Sequence, residues 1–234
     1  GEVLETVHRR KDGSSLPVEI SARPVTLGDE KYQLAIVRDI TQRKAHEAEI
    51  QRLNRLYAAL SQVNETIVRA SDRDTFLNDV CDQLVRHGGF PMAWIAWTDS
   101  LTGTIKPVAQ CGDRGGHLEQ VRVLLAKGGG PAGRAIVTNR PFSCAEHRDE
   151  AAAQEWRSLL REAGFSTALA VPIRTSGSPV GALTVYAAAE GTFGAQETEL
   201  VEEVATDIAF GLETLDVQQR RLEAEGALRE SEKR

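Results

Sequence analysis

The residues able to do chemistry are few and scattered. Cys144 and His147 follow Pro141-Phe142-Ser143 at a spacing of three, which could give a thiolate–imidazole pair, a metal site or a point of chromophore attachment. A nucleophilic pair needs its base within hydrogen-bond reach, which a loop does not ensure. Two ligands without a third make a poor metal site, so an ordinary loop is the preferred reading and no metal is assigned. The run Gly128-Gly129-Gly130 invites a phosphate loop, but that chemistry needs Gly-Lys-Ser/Thr at its end so that a lysine and a hydroxyl meet phosphate and magnesium. Here Lys127 precedes the run and Pro131-Ala132-Gly133-Arg134 follows it, which reads as a turn entering a short helix with proline near its first position. Cys81, Cys111 and Cys144 are odd in number and far apart, with no Cys-x-x-Cys pair. They imply neither a disulfide framework nor a zinc site, and a reducing cytoplasm is the expected location. Cys81 and Cys111 read as small apolar residues of a helix and a strand.

Composition narrows the function classes. The 234 residues carry 34 Asp and Glu against 28 Lys and Arg, a formal net charge of −6, and the sequence pI is near 5.5. That balance gives no nucleic-acid footprint and speaks for solubility rather than for a partner. No window approaches the ~20 apolar residues of a membrane span and no signal peptide is visible, so no membrane contact is expected within these residues. The chain opens on Gly1 in what reads as a strand and stops at Arg234 inside a charged helical run, so an excerpt of a longer protein is expected.

The elements that must position these residues fall into two groups. Residues 1–44 read as three short strands, Val3 to Arg10, Leu16 to Val25 and Lys31 to Asp39, with turns at Lys11-Asp12-Gly13-Ser14 and Leu27-Gly28-Asp29-Glu30. Val18, Ile20 and Ala22 share one parity, as do Leu34, Ile36 and Arg38, which predicts a half-buried antiparallel sheet. Three such strands cannot bury a core alone. The phrases Arg10-Lys11-Asp12-Gly13-Ser14, Pro17-Val18-Glu19-Ile20-Ser21 and Val37-Arg38-Asp39-Ile40-Thr41-Gln42-Arg43-Lys44 resemble the C-terminal three strands of a PAS domain. That resemblance implies a signal-coupling role for Asp39 and Thr41, tying the last strand to the outgoing helix. The plainer alternative is that Thr41 caps a helix and Asp39 adds a favourable charge near its start.

Residues 45–70 read as one helix. Leu53, Leu56, Leu60, Val63 and Ile67 repeat with coiled-coil spacing, a seam that could pair with its copy in a second subunit or pack on the chain's own domain. A mixture is expected, the early half a signalling helix and the later half docked. A second amphipathic helix follows Ser71-Asp72-Arg73-Asp74 and ends at Gly88-Gly89. Then come strands at Met92 to Thr98 and Gly103 to Cys111, helices, a short strand at Pro141-Phe142-Ser143, and a helix around Asp149 to Ala163. Two apolar strands at Ser166 to Arg174 and Pro179 to Ala187 precede a long helix from Ala195. The order describes an α+β fold, one mostly antiparallel sheet with helices on its faces.

That order, with Gly130-Pro131-Ala132-Gly133-Arg134-Ala135-Ile136, Asn139-Arg140-Pro141-Phe142, Ala170-Val171-Pro172-Ile173-Arg174 and Val180-Gly181-Ala182-Leu183-Thr184-Val185-Tyr186, resembles a GAF domain over residues 53–215. The expected organisation is a PAS remnant at 1–44, a signalling helix at 45–70 and the GAF domain. A connector at 216–234 follows, whose Ala227-Leu228-Arg229-Glu230-Ser231-Glu232 resembles the lead-in to another PAS domain.

The GAF resemblance implies a pocket between one face of the sheet and the helices and loops of residues 113–165. Parity puts Thr184 and Tyr186 on one face and Leu183 and Val185 on the other. Trp94, Cys111, Phe142, Cys144, Trp156, Phe165 and Ala168 are further candidates for the lining, with core packing as the alternative for Trp94 and Trp156. Arg134 could meet an anion or lie in solvent. The Asn-Lys-x-n-Phe-Asp-Glu pattern of cyclic-nucleotide-binding relatives and the Cys-His dipeptide of bilin-binding ones are both missing, so cyclic GMP is disfavoured and no cofactor is assigned. The resemblance implies a non-catalytic sensory and relay module of a bacterial signalling protein. It would be a homodimer that binds an unidentified small molecule and acts through helices on an output domain in the same chain. That output would be a cyclic-di-GMP cyclase or phosphodiesterase, or a histidine kinase. Leu215 and Leu222 would continue the dimer helix, with Gly211 and Gln218 interrupting its seam. The alternatives are a ligand-free dimerisation spacer and a cysteine-dependent reductase of the same fold.

Overall fold

The computed structural model describes residues 2–99, 101–113, 116–125, 130–144 and 151–232. The chain divides into two compact units, residues 1–54 and 55–234.

In the first unit, β1 (Glu2–Arg9), β2 (Ser15–Leu27) and β3 (Glu30–Asp39) form an antiparallel sheet in the order β1-β2-β3. Hydrogen bonds around Asp12, whose Oδ1 accepts from the Ser14 amide at 2.9 Å and hydroxyl at 2.6 Å, close the first turn. Gly13, at φ 87°, supplies its left-handed residue. Register places Ile20 opposite Leu4 and Val37, and Ser21 opposite Val3 and Ile36. The predicted half-burial holds for β2 alone, where Val18 is buried; β3 is exposed along its whole length, Leu34 and Ile36 included. Parity sorts side chains onto faces, but a face is buried only where something covers it. The helix α1 (Thr41–Arg69) starts four residues before the expected Ala45, because the Asp39 carboxylate organises its first turn.

In the second unit, a five-stranded antiparallel sheet of order β5-β4-β8-β7-β6 uses β4 (Ala93–Thr98), β5 (Ile105–Cys111), β6 (Phe142–Ser143), β7 (Thr167–Thr175) and β8 (Ser178–Ala187). β7 and β8 are central and apolar on both faces, as strands covered on both sides must be. β5 lies at an edge, where Pro107 is tolerated and a register shift opposite Ile95 and Ala96 leaves Val108 as the extra residue.

One face of this sheet carries α2 (Arg73–Arg86) and α6 (Ala195–Glu232). Asp72 caps α2 by accepting from the Thr75 amide at 2.9 Å, and Phe76, Leu77, Val80, Cys81 and Leu84 are its buried stripe. The other face carries α3 (His117–Leu125), α4 (Gly130–Thr138) and α5 (Ala151–Glu162). Ala132 and Ala135 of α4 meet a sheet face that presents Ala96, Ala168, Ala170 and Ala182, and small residues on both sides let α4 ride close to the strands. Among the described residues, no helix is long and apolar enough to cross a membrane.

Candidate functional site

Side chains that alternate along the central strands point in turn to α2 and α6 or to α3, α4 and α5. Trp94 lies opposite Thr184, and Tyr186 opposite Ala168, so these four share the second of those faces. They join Met92, Phe142, Cys144, Trp156, Leu160 and Phe165 in one buried group. The Tyr186 and Phe165 rings have centroids 4.9 Å apart, and the His117 imidazole stands edge-on to both, 5.5 Å from Tyr186 and 5.7 Å from Phe165. Edge-to-face contact of this kind aligns the positive ring edge with a negative ring face. At the other end of the group, Gly130 opens α4 at φ 88°, and a Cβ there would stand 2.1 Å from the Trp156 ring. Only glycine lets the indole close against that helix end.

The polar atoms of this group are unusual. Trp94 Nε1 donates to the Tyr186 hydroxyl at 3.0 Å, which leaves the tyrosine's own proton to give. Both imidazole nitrogens of His117, Trp156 Nε1 and Thr184 Oγ1 are buried and have no hydrogen-bond partner among the described residues. His117 is 2% exposed. A buried polar atom left unpaired costs about 1–3 kcal/mol, so several in one place mark a missing partner or a reserve of strain. Burial holds the His117 pKa below its ordinary value, with the Asp113 carboxylate opposing in part. Burial also raises Tyr186 far above the usual phenol range and pushes the Cys144 thiol up to about 12. Near neutral pH the group therefore holds a neutral imidazole, a phenol and a thiol.

Of the expected lining residues, Trp94, Phe142, Cys144, Trp156, Phe165, Ala168, Thr184 and Tyr186 come together on this face. Cys111 does not. It lies opposite Ala93, on the α2 face, with its Sγ donating to Asp82 Oδ1 at 3.7 Å, and burial is the first cause of its raised pKa. His147 and the glycines before Gly130 lie outside the described residues. Arg134 is exposed, its guanidinium 5.5 Å from the Phe142 ring centroid. The sequence reading missed His117, which is central here. Its one available signal was a solitary histidine at the start of an apolar helix, and nothing local says that such a histidine faces inward. Among the described residues, no three His, Cys, Asp or Glu side chains group as metal ligands would.

At the strand-to-helix joint of the first unit, Asp39 Oδ1 accepts from both the Thr41 amide at 2.8 Å and its hydroxyl at 2.6 Å. These bonds, with Arg10 at 3.8 Å, lower the Asp39 pKa. Thr41 is thus held by Asp39 rather than acting as the cap. Unanticipated from sequence, Arg43 reaches Glu5 at 2.7 Å and Glu19 at 3.1 Å, and Lys44 reaches Glu5 at 2.6 Å. The first turn of α1 is clasped to β1 and β2 by this cluster.

The seam residues behave differently along α1. Leu53 is half-buried, Leu56, Leu60 and Val63 are buried within the chain, and Ile67 approaches Gly211, where a Cβ would meet it at 3.2 Å and Phe76 at 2.5 Å. The later seam is therefore buried within the chain, with Ile67 near α2 and α6, and is not free to pair with a copy. Gly211 marks close packing of α6. Leu215 and Leu222 line a surface cleft of about 220 Å³ with Ser71, Asp72 and Arg73, and Leu222 is exposed.

The GAF domain family matches residues 70–213, and the PAS domain family matches residues 1–42. Among solved structures, the GAF domain of a phosphoenolpyruvate-protein phosphotransferase from Coxiella burnetii is 19% identical. It superposes with a TM-score of 0.59 over 72% of this chain and 98% of that one. Free methionine-R-sulfoxide reductase from Neisseria meningitidis, in complex with its substrate, is 14% identical with a TM-score of 0.55 over 70% and 91% of the two chains. A domain of a protein assigned as a two-component sensor histidine kinase in Sinorhizobium meliloti 1021 is 16% identical with a TM-score of 0.52 over 65% and 98%. At these identities the likeness is one of fold. No curated protein matches the chain.

Proposed function

Because this chain belongs to the GAF domain family, we propose that it is a sensory and relay module that binds a small molecule in the ring cluster beneath β4, β7 and β8. The observation that carries this reading is His117, almost wholly buried, with both nitrogens unpartnered amid aromatic side chains. A ligand that pairs those atoms in one arrangement of the domain shifts the population toward it by its differential affinity. The sheet lies between this cluster and α6, so a change in the strands reaches α6 through Leu169, Val171, Leu183 and Val185, the alternate residues of the same strands.

Transmission would run along α1 and α6 to an output domain of the parent protein, a cyclic-di-GMP enzyme or a histidine kinase. The helices would pair with a second copy through outward residues rather than through the seam buried within the chain. Tyr57, Phe210, Val217 and Leu222, each more than half exposed, are the residues assigned to that contact. The thiols support the non-catalytic side of the reading. Burial raises Cys81 and Cys144, and Cys111 lies on the opposite face from Cys144, so no thiolate pair is favoured for reductase chemistry.

Native mass spectrometry of the purified chain tests the proposal. A dimer carrying added small-molecule mass is the expected result. A dimer without it that also fails to gain mass from a metabolite mixture sinks the sensory reading in favour of a spacer, and a monomer sinks the paired-helix relay.

A further inference from the structure

The identity of the unpartnered atoms says what kind of molecule would satisfy them. A neutral imidazole offers one N–H donor and one bare nitrogen acceptor. Around His117, Tyr186 has its hydroxyl proton to give because its oxygen already accepts from Trp94. Thr184 Oγ1 can give or accept, and Trp156 Nε1 is a pure donor at the α4 end of the same group. Donors outnumber acceptors, but both are present.

Charge narrows the class further. The group contains no lysine or arginine among its described members. Arg157, whose field reaches Cys144, is paired with Glu190 at 3.7 Å. The Asp113 carboxylate is close enough to act on both His117 and Tyr186. Among the described residues no lysine or arginine is buried, and Arg134 beside the Phe142 ring is exposed, so an anion would lose its hydration with no buried cation to meet it and a carboxylate nearby, which is the costly case of charge burial. A cation could be met by Asp113, but it would leave the Tyr186 and Trp156 donors unpaired. The rings grouped around these atoms, Phe165, Tyr186, Trp156 and Phe142, are aromatic and would suit a flat apolar body.

Resting on the pocket reading above, we propose that this site takes an uncharged molecule carrying a carboxamide-type donor and acceptor pair on a ring-sized apolar frame, with the amide paired to His117, Tyr186 and Thr184. The recognition is directional. The amide oxygen takes protons from the donors and the amide N–H meets the bare imidazole nitrogen. His117 is then a specificity residue retained against stability, since an apolar ring of similar shape would leave no unpaired nitrogen.

Three isosteric probes separate the possibilities: benzamide, benzoate and benzamidine, titrated into the full chain by saturation-transfer NMR with tryptophan fluorescence alongside. Benzamide is expected to bind at least about tenfold more tightly than either charged probe, the size of one to two net hydrogen bonds. His117→Phe is expected to weaken benzamide by about tenfold while leaving the melting temperature of the free protein unchanged or raised, a pairing that a merely structural histidine would not show. Thr184→Val, which removes one hydroxyl at nearly constant shape, is expected to weaken benzamide several-fold and decides the matter if His117→Phe does not fold. Benzoate or benzamidine binding as tightly as benzamide overturns the proposal and leaves the pocket reading standing. No signal from any of the three overturns the proposal as well. Unchanged benzamide affinity in a folded His117→Phe protein, or in Thr184→Val where that decides, also overturns the proposal.

Discussion

Two antiparallel sheets stand in this chain under opposite conditions. In residues 2–54, β3 is exposed along its length, and the apolar side chains buried among the described residues are Val18 and Ile40. Order at the joint with α1 comes from exposed ion pairs among Glu5, Glu19, Arg43 and Lys44 and from the Asp39–Thr41 bonds. In residues 55–232, β7 and β8 are buried over most of their length between helices on both faces. The difference teaches that β-propensity sorts residues onto faces while cover decides whether a face contributes to stability. An apolar core resists graded deformation, whereas an ionic joint yields to salt and to small forces.

The largest expected effect sharpens this contrast. Leu169→Ala, in the buried β7, should lose about 2–5 kcal/mol in urea unfolding followed by tryptophan fluorescence. Ile36→Ala, on the 57% exposed β3 position, should stay within about 0.5 kcal/mol. A comparable loss at Ile36 would break the comparison, because it would require a cover over the first sheet.

Two glycines of α6 carry the next effect. Gly211→Ala would place a Cβ 2.5 Å from the Phe76 ring and should destabilise by about 1–3 kcal/mol. Gly226→Ala meets nothing within 4 Å and should gain up to about 1 kcal/mol from helix propensity. Opposite signs in chemical denaturation bear out close packing at the first site, and equal gains would argue that α6 does not pack there as described.

A pH effect of smaller size belongs to the buried side. The folded pKa of His117 lies below its unfolded value, so the native state holds fewer protons. Its contribution is fully present above about pH 6.5 and is lost as the pH falls below it toward the folded pKa. Stability should therefore decline on acidification through this window, and His117→Phe should flatten that part of the profile. A profile identical in both proteins would remove His117 as its source.

The smallest effect lies on the ionic side. Arg43→Ala should speed amide exchange in the first turn of α1, and the difference should vanish in 1 M salt as screening closes in. A salt-independent difference would mean that Arg43 acts by packing and not by charge.

How much was readable follows the range of the interactions. The strands, the turn at Asp12-Gly13, the Asp72 cap and the apolar stripe of α2 come from near neighbours and were legible. Thr184 and Tyr186 were correctly paired on one face because parity is local. Cys111 was drawn toward the ring cluster by its apolar character, but its pairing with Ala93 puts it on the other face. The heptad of Leu56, Leu60 and Val63 is the same pattern whether its partner is a second copy or a helix of the same chain.

By itself, then, the sequence determined the element order, the α+β class, the shared face of Thr184 and Tyr186 and the motifs of the Asp39–Thr41 joint, since each depends on periodicity or on residues within a few positions. Only the tertiary structure decided that His117 enters the ring cluster, that Gly130 admits Trp156, that the later α1 seam is buried within the chain and that the first sheet goes uncovered along β3. Those outcomes rest on contacts between residues far apart in the chain, and burial and hydrogen-bond partnership are properties of such contacts rather than of any one residue.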